Sequence, residues 1–458
     1  MHFSLRVITF IPPHPPRGEG PVAPWRGFFG ERARSAVYGW SERAFREWHI
    51  TRNVFGHTVH IPLHPDAVQH VALDNAANYG KPKLVKQILQ PTIGHGLLSS
   101  DGDLWRTQRK IVSASFTPPA VDALVPVFGE VAHSAADEWQ PGRRDMAASA
   151  TEATMQVISR ALFSGDPRLT SREAMRHISR ALEAVTEARI QVILGLPLVP
   201  VTPRGWRGRA GQQYLRRTVG KVVRERLEPG APDDFVAGIA RALMEQFPRE
   251  QALELAVDNA ITFYLAGHET TANAISWTLF ILSCLPELQE EAAAEATHGL
   301  GDGVDSKLPD RLPLLRAIVE EAMRLYPPAP RFDREAIAAD QLGDVAIAPG
   351  DIVSIWPWLI HRHEKLWDEP DRFDHTRFLG PARKQWHRFQ YIPFGAGPRT
   401  CVGARFAMAE ALTILAVWLA KWRFVPVDGW RVETSGMVTL RPKGGLPLVL
   451  QPREAQSS

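Results

Sequence analysis

A long stretch without proline, residues 254–285, is the feature that most limits how this chain can fold. The stretch is apolar over most of its length, and Pro286 follows it directly. Because proline breaks a helix, and because a helix that is apolar all round must be enclosed by other elements, the stretch predicts a long helix in the centre of a large domain. Pro286 suits the first turn of a further helix.

Helical patterns dominate elsewhere too. Pro118 opens a periodic apolar run that reaches Val131 and that we expect to be kinked at Pro126. Asp145 is a candidate N-cap for a second run, which stops at Gly165. These patterns predict amphipathic helices on a common core.

The two ends of the chain have different patterns. Residues 1–25 are rich in Pro and Gly and predict an extended lead-in rather than a packed element. Residues 438–450 have β-type side chains on both sides of residues 442–445, which predicts a hairpin. With no repeat and no linker in the sequence, we expect residues 26–458 to form one large domain, mainly α with a minor β part.

Composition narrows the class of protein. The 53 Lys and Arg residues nearly balance the 50 Asp and Glu residues, which gives no reason to expect nucleic-acid binding. Two cysteines are too few for a disulfide framework, so we expect a cytoplasmic protein. We also expect no membrane anchor, because Pro12 interrupts the N-terminal apolar residues and the apolar residues 406–422 fall short of the ~20 needed to span a bilayer.

A loop near the C-terminus carries the strongest chemical signal. Residues 394–403 read Phe-Gly-Ala-Gly-Pro-Arg-Thr-Cys-Val-Gly, and a helical run follows. Cys401 therefore lies at or just before a helix N-terminus, where the helix dipole and free N–H groups lower a thiol pKa and favour a thiolate ligand. Phe394 would shield the sulfur from water. The alternative is an inert buried cysteine, which is how we interpret Cys284 in its apolar context.

The remaining residues of the loop suit a flat, acidic cofactor. Gly397 and Gly403 allow tight turns and close approach, and Arg399 supplies a cation for an acidic group. The segment closely resembles the haem-binding signature of the cytochrome P450 family. The resemblance implies heme b, iron bound to the Cys401 thiolate, and the cytochrome P450 fold with a long central helix over the haem.

A second motif, Ala-Gly-His-Glu-Thr-Thr at residues 266–271, lies inside the long helix. Thr270 follows Ala266 by four residues, so its hydroxyl can compete for a helix carbonyl and loosen the turn into a groove, beside an Ala266 small enough to admit haem or O₂. Glu269 offers a carboxylate for proton traffic. A simple kink with one exposed Glu is the alternative. His268 has no spaced partner and is interpreted as a core residue rather than a metal ligand.

The same motif resembles the acid–alcohol pair of the cytochrome P450 family. By that resemblance, Glu269 and Thr270 deliver protons to O₂ during catalysis.

A third pair, Glu321 and Arg324, is spaced i and i+3 on a predicted helix and can form an ion pair. The pair resembles the family's internal Glu-x-x-Arg motif, whose later partner would be Arg377. His375 and Thr376 replace the Pro and acid that are usual in that later segment.

Candidate contacts to the haem propionates come next. Trp105 and Arg109, spaced i and i+4, can present an indole N–H and a guanidinium to one anion, although a cation–π pair is the alternative. The resemblance makes that anion a propionate and assigns Arg334 to another propionate position. His361 and His363 lack further ligands and are interpreted as loop residues.

The resemblance implies a monooxygenase that inserts one atom of O₂ into an apolar substrate such as a fatty acid, alkane or terpenoid. Electrons would come from a separate partner, a ferredoxin with its reductase, and a basic face for its docking is expected at Arg383, Lys384, Arg388 and Arg405. A peroxide-dependent or isomerising enzyme of the same fold and a non-catalytic haem sensor remain alternatives. Substrate choice is expected in residues 78–90, 190–200 and 327–332.

Overall fold

The computed structural model describes residues 9–18, 35–54, 56–171, 173–174, 176–177, 180–181, 191, 199–200, 202–301, 303–436 and 438–453. Within them the chain is mainly helical with a minor β part, as predicted. The α-helices are α1 Pro65–Gln69, α2 Lys83–Ile93, α3 Gly102–Ala114, α4 Pro118–Asp122, α5 Val125–Asp137, α6 Met146–Phe163, α7 Pro167–Thr170, α8 Pro203–Glu225, α9 Phe235–Met244, α10 Arg249–Cys284, α11 Pro286–Leu300, α12 Pro313–Leu325, α13 Pro357–Ile360, α14 Thr376–Leu379 and α15 Ala404–Lys421.

The strands form one larger and three small sheets. They are β1 His49–Val54, β2 His57–Pro62, β3 Tyr79–Gly80, β4 Gly142–Asp145, β5 Phe332–Ala336, β6 Asp340–Leu342, β7 Val345–Ile347, β8 Ile352–Ile355, β9 Trp422–Pro426, β10 Thr434–Ser435, β11 Arg441–Pro442 and β12 Pro447–Pro452. The larger sheet has the order β1-β2-β8-β5-β3, with β2 and β8 parallel and the other neighbours antiparallel. The others are β4-β12-β9, β10-β11 and β6-β7.

Helix α10 is the predicted central helix. It runs from Arg249 to Cys284 and packs against α6, α8, α9, α12 and α15. Almost every side chain in its second half is buried, as expected for a helix enclosed on all sides. Gly267 lies where α6 approaches most closely, because a Cβ there would come within 2.6 Å of the Ile158 side chain. The glycine therefore serves helix packing rather than a kink, and α10 stays α-helical through this turn.

The N-terminal half departs from the prediction in one place. The expected kink at Pro126 is wrong: the chain forms two helices, α4 and α5, and Pro126 lies in the first turn of the second, where no intrahelical N–H bond is lost. Asp145 caps α6 as predicted, since its carboxylate accepts hydrogen bonds from the amides of Ala147 (3.0 Å) and Ala148 (3.3 Å). The helix ends at Ser164, which is left-handed with φ 51°.

The predicted C-terminal hairpin is also wrong. Strand β11 pairs with β10, whereas β12 lies between β4 and β9. Gly444 and Gly445, with φ of 74° and 91°, redirect the chain between the two strands. A Cβ at Gly445 would meet the Asp145 carboxylate at 2.3 Å. The residue that caps α6 is therefore in close contact with the chain between β11 and β12. A contact between remote segments thus decides the pairing.

The N-terminal lead-in is extended but not free of the core, which corrects the sequence prediction for residues 9–18. The amide of Phe373 donates to the Phe10 carbonyl (3.0 Å), and the Tyr326 hydroxyl donates to the Pro13 carbonyl (2.6 Å). Arg17 pairs with Asp371 (2.5 Å).

Helix α15 is buried in the core, as predicted for residues 406–422. Of the helices that the structure describes, none alone has the length and apolar character needed to cross a bilayer. A bent pair, Gly102–Ala114 with Pro118–Asp137 at 54°, meets the criteria by length and composition only.

A buried ion pair joins α12 to the segment that follows α13. Both Glu321 and Arg324 are fully buried, and Arg324 donates to both carboxylate oxygens (2.6 and 2.8 Å). Arg324 also donates to three backbone carbonyls, those of His361 (2.6 Å), Pro370 (2.7 Å) and Arg372 (3.1 Å). Arg377, the predicted partner, lies 3.6 Å from the Glu321 carboxylate.

Replacing Arg324 with alanine is expected to lower the free energy of unfolding by about 3–5 kcal/mol, because it leaves a buried carboxylate and three carbonyls without their donor. Urea denaturation followed by circular dichroism measures the change. Arg383→Ala is the control: Arg383 also pairs with a glutamate, Glu320, but its side chain is 43% exposed, so a loss of at most about 1 kcal/mol is expected. Equal losses of unfolding free energy in the two variants would contradict a stabilising role of the buried Glu321–Arg324 pair.

Candidate functional site

The cysteine loop is shaped by glycine. The amide of Cys401 donates to the Phe394 carbonyl (2.8 Å), which closes the loop. Gly395 and Gly397 have φ of 75° and 67°. A Cβ at Gly397 would lie 1.7 Å from the Ala72 carbonyl oxygen, so no side chain fits there. Gly403 is the N-cap of α15, which places the sulfur just before the helix, as predicted.

Two effects oppose each other at the Cys401 thiol. The side chain keeps accessible surface, yet the protein packed around it raises the thiol pKa, while the Gly403 amide and the charge of Arg109 lower it. The net shift is upward and thus opposite to the expectation from helix position alone. Coordination to a metal ion would reverse it, because a metal-bound thiol is deprotonated. The helix N-terminus alone therefore does not favour a thiolate at Cys401.

Arg399 lies between the loop and helix α3. Its guanidinium is 4.3 Å from the centre of the Trp105 ring, donates to the Ser100 carbonyl (3.1 Å) and pairs with Asp101. Trp105 thus stacks on Arg399, while the charge of Arg109 acts on Cys401. The two residues of the predicted i, i+4 pair face different parts of one site.

Sequence reasoning missed one member of the site, Lys81. Pairing of β3 with β5 sets Gly80 opposite Glu335 and brings Lys81 near Arg334. Burial, followed by the charges of Arg334 and Arg399, lowers the pKa of Lys81 to about 7. Burial and the charge of Arg399 lower the pKa of Arg334 to about 10. The only signal in the sequence is the basic Lys-Pro-Lys tract at residues 81–83. It lies in residues 78–90, where substrate choice is expected.

These three cations, Lys81, Arg334 and Arg399, form what we call the cation cluster. Buried like charges are unfavourable unless an anion joins them. Asp101 supplies part of that charge by pairing with Arg399, and the charges of Asp101 and Asp333 both act on Lys81 and Arg334. The cluster therefore suits a ligand with acidic groups on one edge.

In the second motif, on helix α10, the predicted bond between Thr270 and a helix carbonyl is present. The Thr270 hydroxyl donates to the Ala266 carbonyl at 3.0 Å. Ala266 is exposed although the preceding helical turns are buried, so the helix presents open space there. His268 is buried and its Nδ1 lies 2.7 Å from the Tyr264 carbonyl, as expected for a core residue.

Glu269 points toward a partner that the sequence did not indicate. Its Oε1 accepts a hydrogen bond from the Thr439 hydroxyl (2.6 Å), and Arg441 lies 3.7 Å from the same oxygen. Thr439 belongs to the chain just before β11, far from α10 in sequence.

The two histidines near α13 have backbone partners. His361 Nε2 accepts from the Ile392 amide (2.8 Å), and His363 Nε2 lies 3.0 Å from the Glu47 carbonyl. Both roles fit the prediction of loop residues.

The expected basic docking face is partly neutralised. Arg383 binds both carboxylate oxygens of Glu320 (2.7 and 2.8 Å), and Arg405 binds Asp122 (2.7 Å). Lys384 and Arg388 are exposed and have no carboxylate partner within the described part of the chain. Of the expected substrate segments, Ile190 and residues 192–198 lie outside the described residues.

Taken together, the loop, the cluster and the exposed turn at Ala266 fit a flat cofactor with a metal centre and acidic edge groups. Cys401 offers a sulfur ligand, Gly397 allows close backbone approach, and the cation cluster can bind acidic groups in addition to Asp101 and Asp333.

Comparisons with known proteins show which family the chain resembles. The Cytochrome P450 family model matches residues 47–449. Cyclooctatin synthase of Streptomyces melanosporofaciens is 30% identical over 403 residues, 86% of each chain. Cyclooctat-9-en-7-ol 5-monooxygenase of the same organism is 30% identical over 400 residues, again 86% of each chain. Human Cytochrome P450 4F12 is 30% identical over 418 residues, covering 85% of this chain and 79% of the relative.

A solved structure also matches. The crystal structure of the cytochrome P450DA heme domain superposes with a TM-score of 0.81 at 23% identity, over 98% of this chain and 99% of that one. At this identity the likeness establishes the fold.

The cation cluster predicts a pH dependence. In the cofactor-free chain, Lys81 titrates near pH 7, whereas unfolded lysine titrates near its usual 10.5. Between these values the unfolded state binds the extra proton, so the free energy of unfolding should rise with pH by up to about 1.4 kcal/mol per unit. Urea denaturation of Lys81→Met should lose this slope, and Lys83→Met, a change at an exposed neighbour, should keep it. An unchanged slope in Lys81→Met would contradict the assignment.

Proposed function

Because the chain belongs to the cytochrome P450 family, we propose that it inserts one oxygen atom of O₂ into an apolar substrate with electrons from a ferredoxin and its reductase. Family membership makes the protein a haem-thiolate oxidoreductase of the EC 1.14 type with heme b as cofactor, and its class requires O₂ and a redox partner. The substrate, the type of partner and the roles of individual residues are our proposals.

The residues fit haem in a defined way. We assign the iron ligand to Cys401 and the propionate contacts to the cation cluster, with Trp105 and Arg109 beside it. When bound, a thiolate-ligated haem supplies iron that favours O–O cleavage. We assign to Phe394, whose carbonyl accepts the hydrogen bond that closes the loop, the role of shielding the sulfur from water once haem is bound.

The proposed proton path lies on helix α10. The Glu269 side chain is 21% exposed, so its carboxylate can exchange protons with solvent. Thr270 Oγ1 donates to the Ala266 carbonyl at rest and can turn its proton toward the open space beside Ala266. In this assignment Glu269 takes up protons and the Thr270 hydroxyl passes them on.

One observation carries the proposal: the 3.0 Å bond from Thr270 to the carbonyl of Ala266, the exposed residue on an otherwise buried stretch of helix. A peroxide-dependent or isomerising enzyme, or a haem sensor, has no need for a proton-delivering pair at this place. The intact pair therefore favours the monooxygenase.

The substrate class follows from apolar surface near α10. Gly96 presses its loop against the helix, because a Cβ there would meet the Thr262 hydroxyl at 2.5 Å. Leu98, 43% exposed, is in that loop, and Val438, 62% exposed, is next to Thr439, which contacts the same helix. Apolar side chains at such positions favour a fatty acid, alkane or terpenoid. The relatives named for cyclooctatin chemistry support the terpenoid member of this group.

We further propose a cytoplasmic location. Its support is the presence of only two cysteines, Cys284 and Cys401, in separate elements.

Replacing Thr270 with alanine should uncouple the reaction: about tenfold less product per electron consumed, with hydrogen peroxide as the by-product, because the proton relay is broken. Substrate-dependent electron consumption, product and peroxide are measured together. Thr278→Ala is the matched control, since Thr278 makes the same bond to a carbonyl four residues back (2.8 Å, to Ala274) in the buried part of α10. Unchanged coupling in Thr270→Ala would remove Thr270 from the path.

Cys401→Ala serves as the reference for the same assay. It should have no turnover, and the reduced protein treated with carbon monoxide should lack the red-shifted absorption band that a thiolate ligand produces. A retained band would contradict the ligand assignment.

We propose that the electron-transfer partner docks at Lys384 and Arg388, the members of the basic face that pair with no carboxylate among the described residues. The double variant Lys384→Glu/Arg388→Glu should slow electron transfer by about tenfold at low salt and weaken its salt dependence, because steering is electrostatic. Stopped-flow reduction at several ionic strengths measures this. Lys221→Glu, at a 70% exposed residue of α8, is the control. Identical rates and salt slopes in the two proteins would refute the docking face.

A further inference from the structure

We propose that Thr439 is a positioning residue for the Glu269 carboxylate, so that the turn before β11 sets the geometry of proton delivery. The proposal rests on the role assigned to Glu269 in the proposed function. We call residues 436 and 438–440 the C-terminal turn.

The contact itself joins two remote parts of the chain. Thr439 Oγ1 donates to Glu269 Oε1 at 2.6 Å, a short bond to a charged acceptor. Arg441 lies 3.7 Å from the same oxygen, but its side chain is 62% exposed, so water and salt weaken its attraction. The hydroxyl is therefore the main group that fixes the carboxylate.

The C-terminal turn is anchored on both sides of Thr439. The Leu440 amide donates to the Pro328 carbonyl (2.9 Å), and the Leu440 carbonyl accepts from Trp277 Nε1 (3.0 Å) in α10. At the other end, the Gly436 carbonyl accepts from the Ala36 amide (3.0 Å).

The turn is also tight. Gly436 has φ 119°, and a Cβ there would lie 1.8 Å from the Thr439 carbonyl oxygen. Because the backbone is fixed in this way, the hydroxyl of Thr439 has little freedom to follow the glutamate. The long side chain of Glu269 must instead adopt the rotamer that meets Thr439.

The same turn carries a surface suited to substrate. Val438, next to Thr439, is 62% exposed. Pro328, the partner of Leu440, lies in one of the segments expected to select substrate. The fixed turn that positions the carboxylate therefore also adjoins a segment expected to select substrate.

The test compares two threonine variants of the haem-loaded protein. Thr439→Val removes the hydroxyl with little change in shape. Thr434→Val makes the same change in the neighbouring strand β10, where the Thr434 hydroxyl is buried and without a hydrogen-bond partner in the described structure. We expect product per electron to fall about three- to tenfold in Thr439→Val, with a shifted pH profile, and to be unchanged in Thr434→Val. Thr439→Ser, which keeps the donor, should restore both.

A second readout does not depend on turnover. In protein labelled with isotopic glutamate, the infrared carboxylate band of Glu269, assigned by difference from Glu269→Gln, should shift in Thr439→Val and not in Thr434→Val. Positioning is overturned if Thr439→Val matches Thr434→Val in coupling, and equally if coupling falls in Thr439→Val while the Glu269 band stays unshifted. Thr270→Ala in the same assay tests the proposed function separately. Normal coupling in Thr439→Val beside an uncoupled Thr270→Ala overturns only the role of Thr439.

Discussion

The buried pair of Glu321 and Arg324 supports the loop that carries the cysteine. Arg324 holds the His361 carbonyl, His361 accepts from the Ile392 amide, and the Ile392 carbonyl accepts from Gly395. The path from ion pair to cysteine loop is thus a chain of hydrogen bonds within buried structure. Such a pair gains little net stability over apolar packing, but its loss is costly because the remaining partners stay buried and unpaired. The Glu321–Arg324 pair therefore fixes the position of the cysteine loop more than it adds to the stability of the fold.

The site combines groups that are unfavourable without a cofactor. Burial raises the pKa of the Cys401 thiol, and burial, followed by the charges of Arg334 and Arg399, lowers the pKa of Lys81 to about 7. Haem iron and propionates would relieve both, since the metal takes the thiolate and the acids neutralise the cations. Without haem, these groups would lower the stability of the folded chain. Binding of haem would remove that cost and so favour the complex. In the proposed function, the long helix α10 completes the site with the Glu269–Thr270 pair.

Several elements could be predicted because their causes are local. The proline-free stretch of α10, the Asp145 cap and the spacing of Glu321 and Arg324 each depend on neighbours along the chain. The failures share another cause. The supposed hairpin divides between two sheets because Gly445 passes against Asp145, and residues 9–18 pack because Tyr326 and Phe373 offer partners. The residue pattern within one segment cannot reveal contacts between segments that are remote in sequence.

By itself, the sequence determined the fold class and indicated Cys401 before α15 and Glu269 and Thr270 in α10 as candidate site residues, since each motif consists of residue types at fixed short spacings. Only the tertiary structure decided that Lys81 joins Arg334 and Arg399, that Arg383 and Arg405 are neutralised, and that Glu269 faces Thr439. These contacts join residues far apart in the chain. Charge, burial and hydrogen bonding act through space, and the distances that set them exist only once the chain has folded.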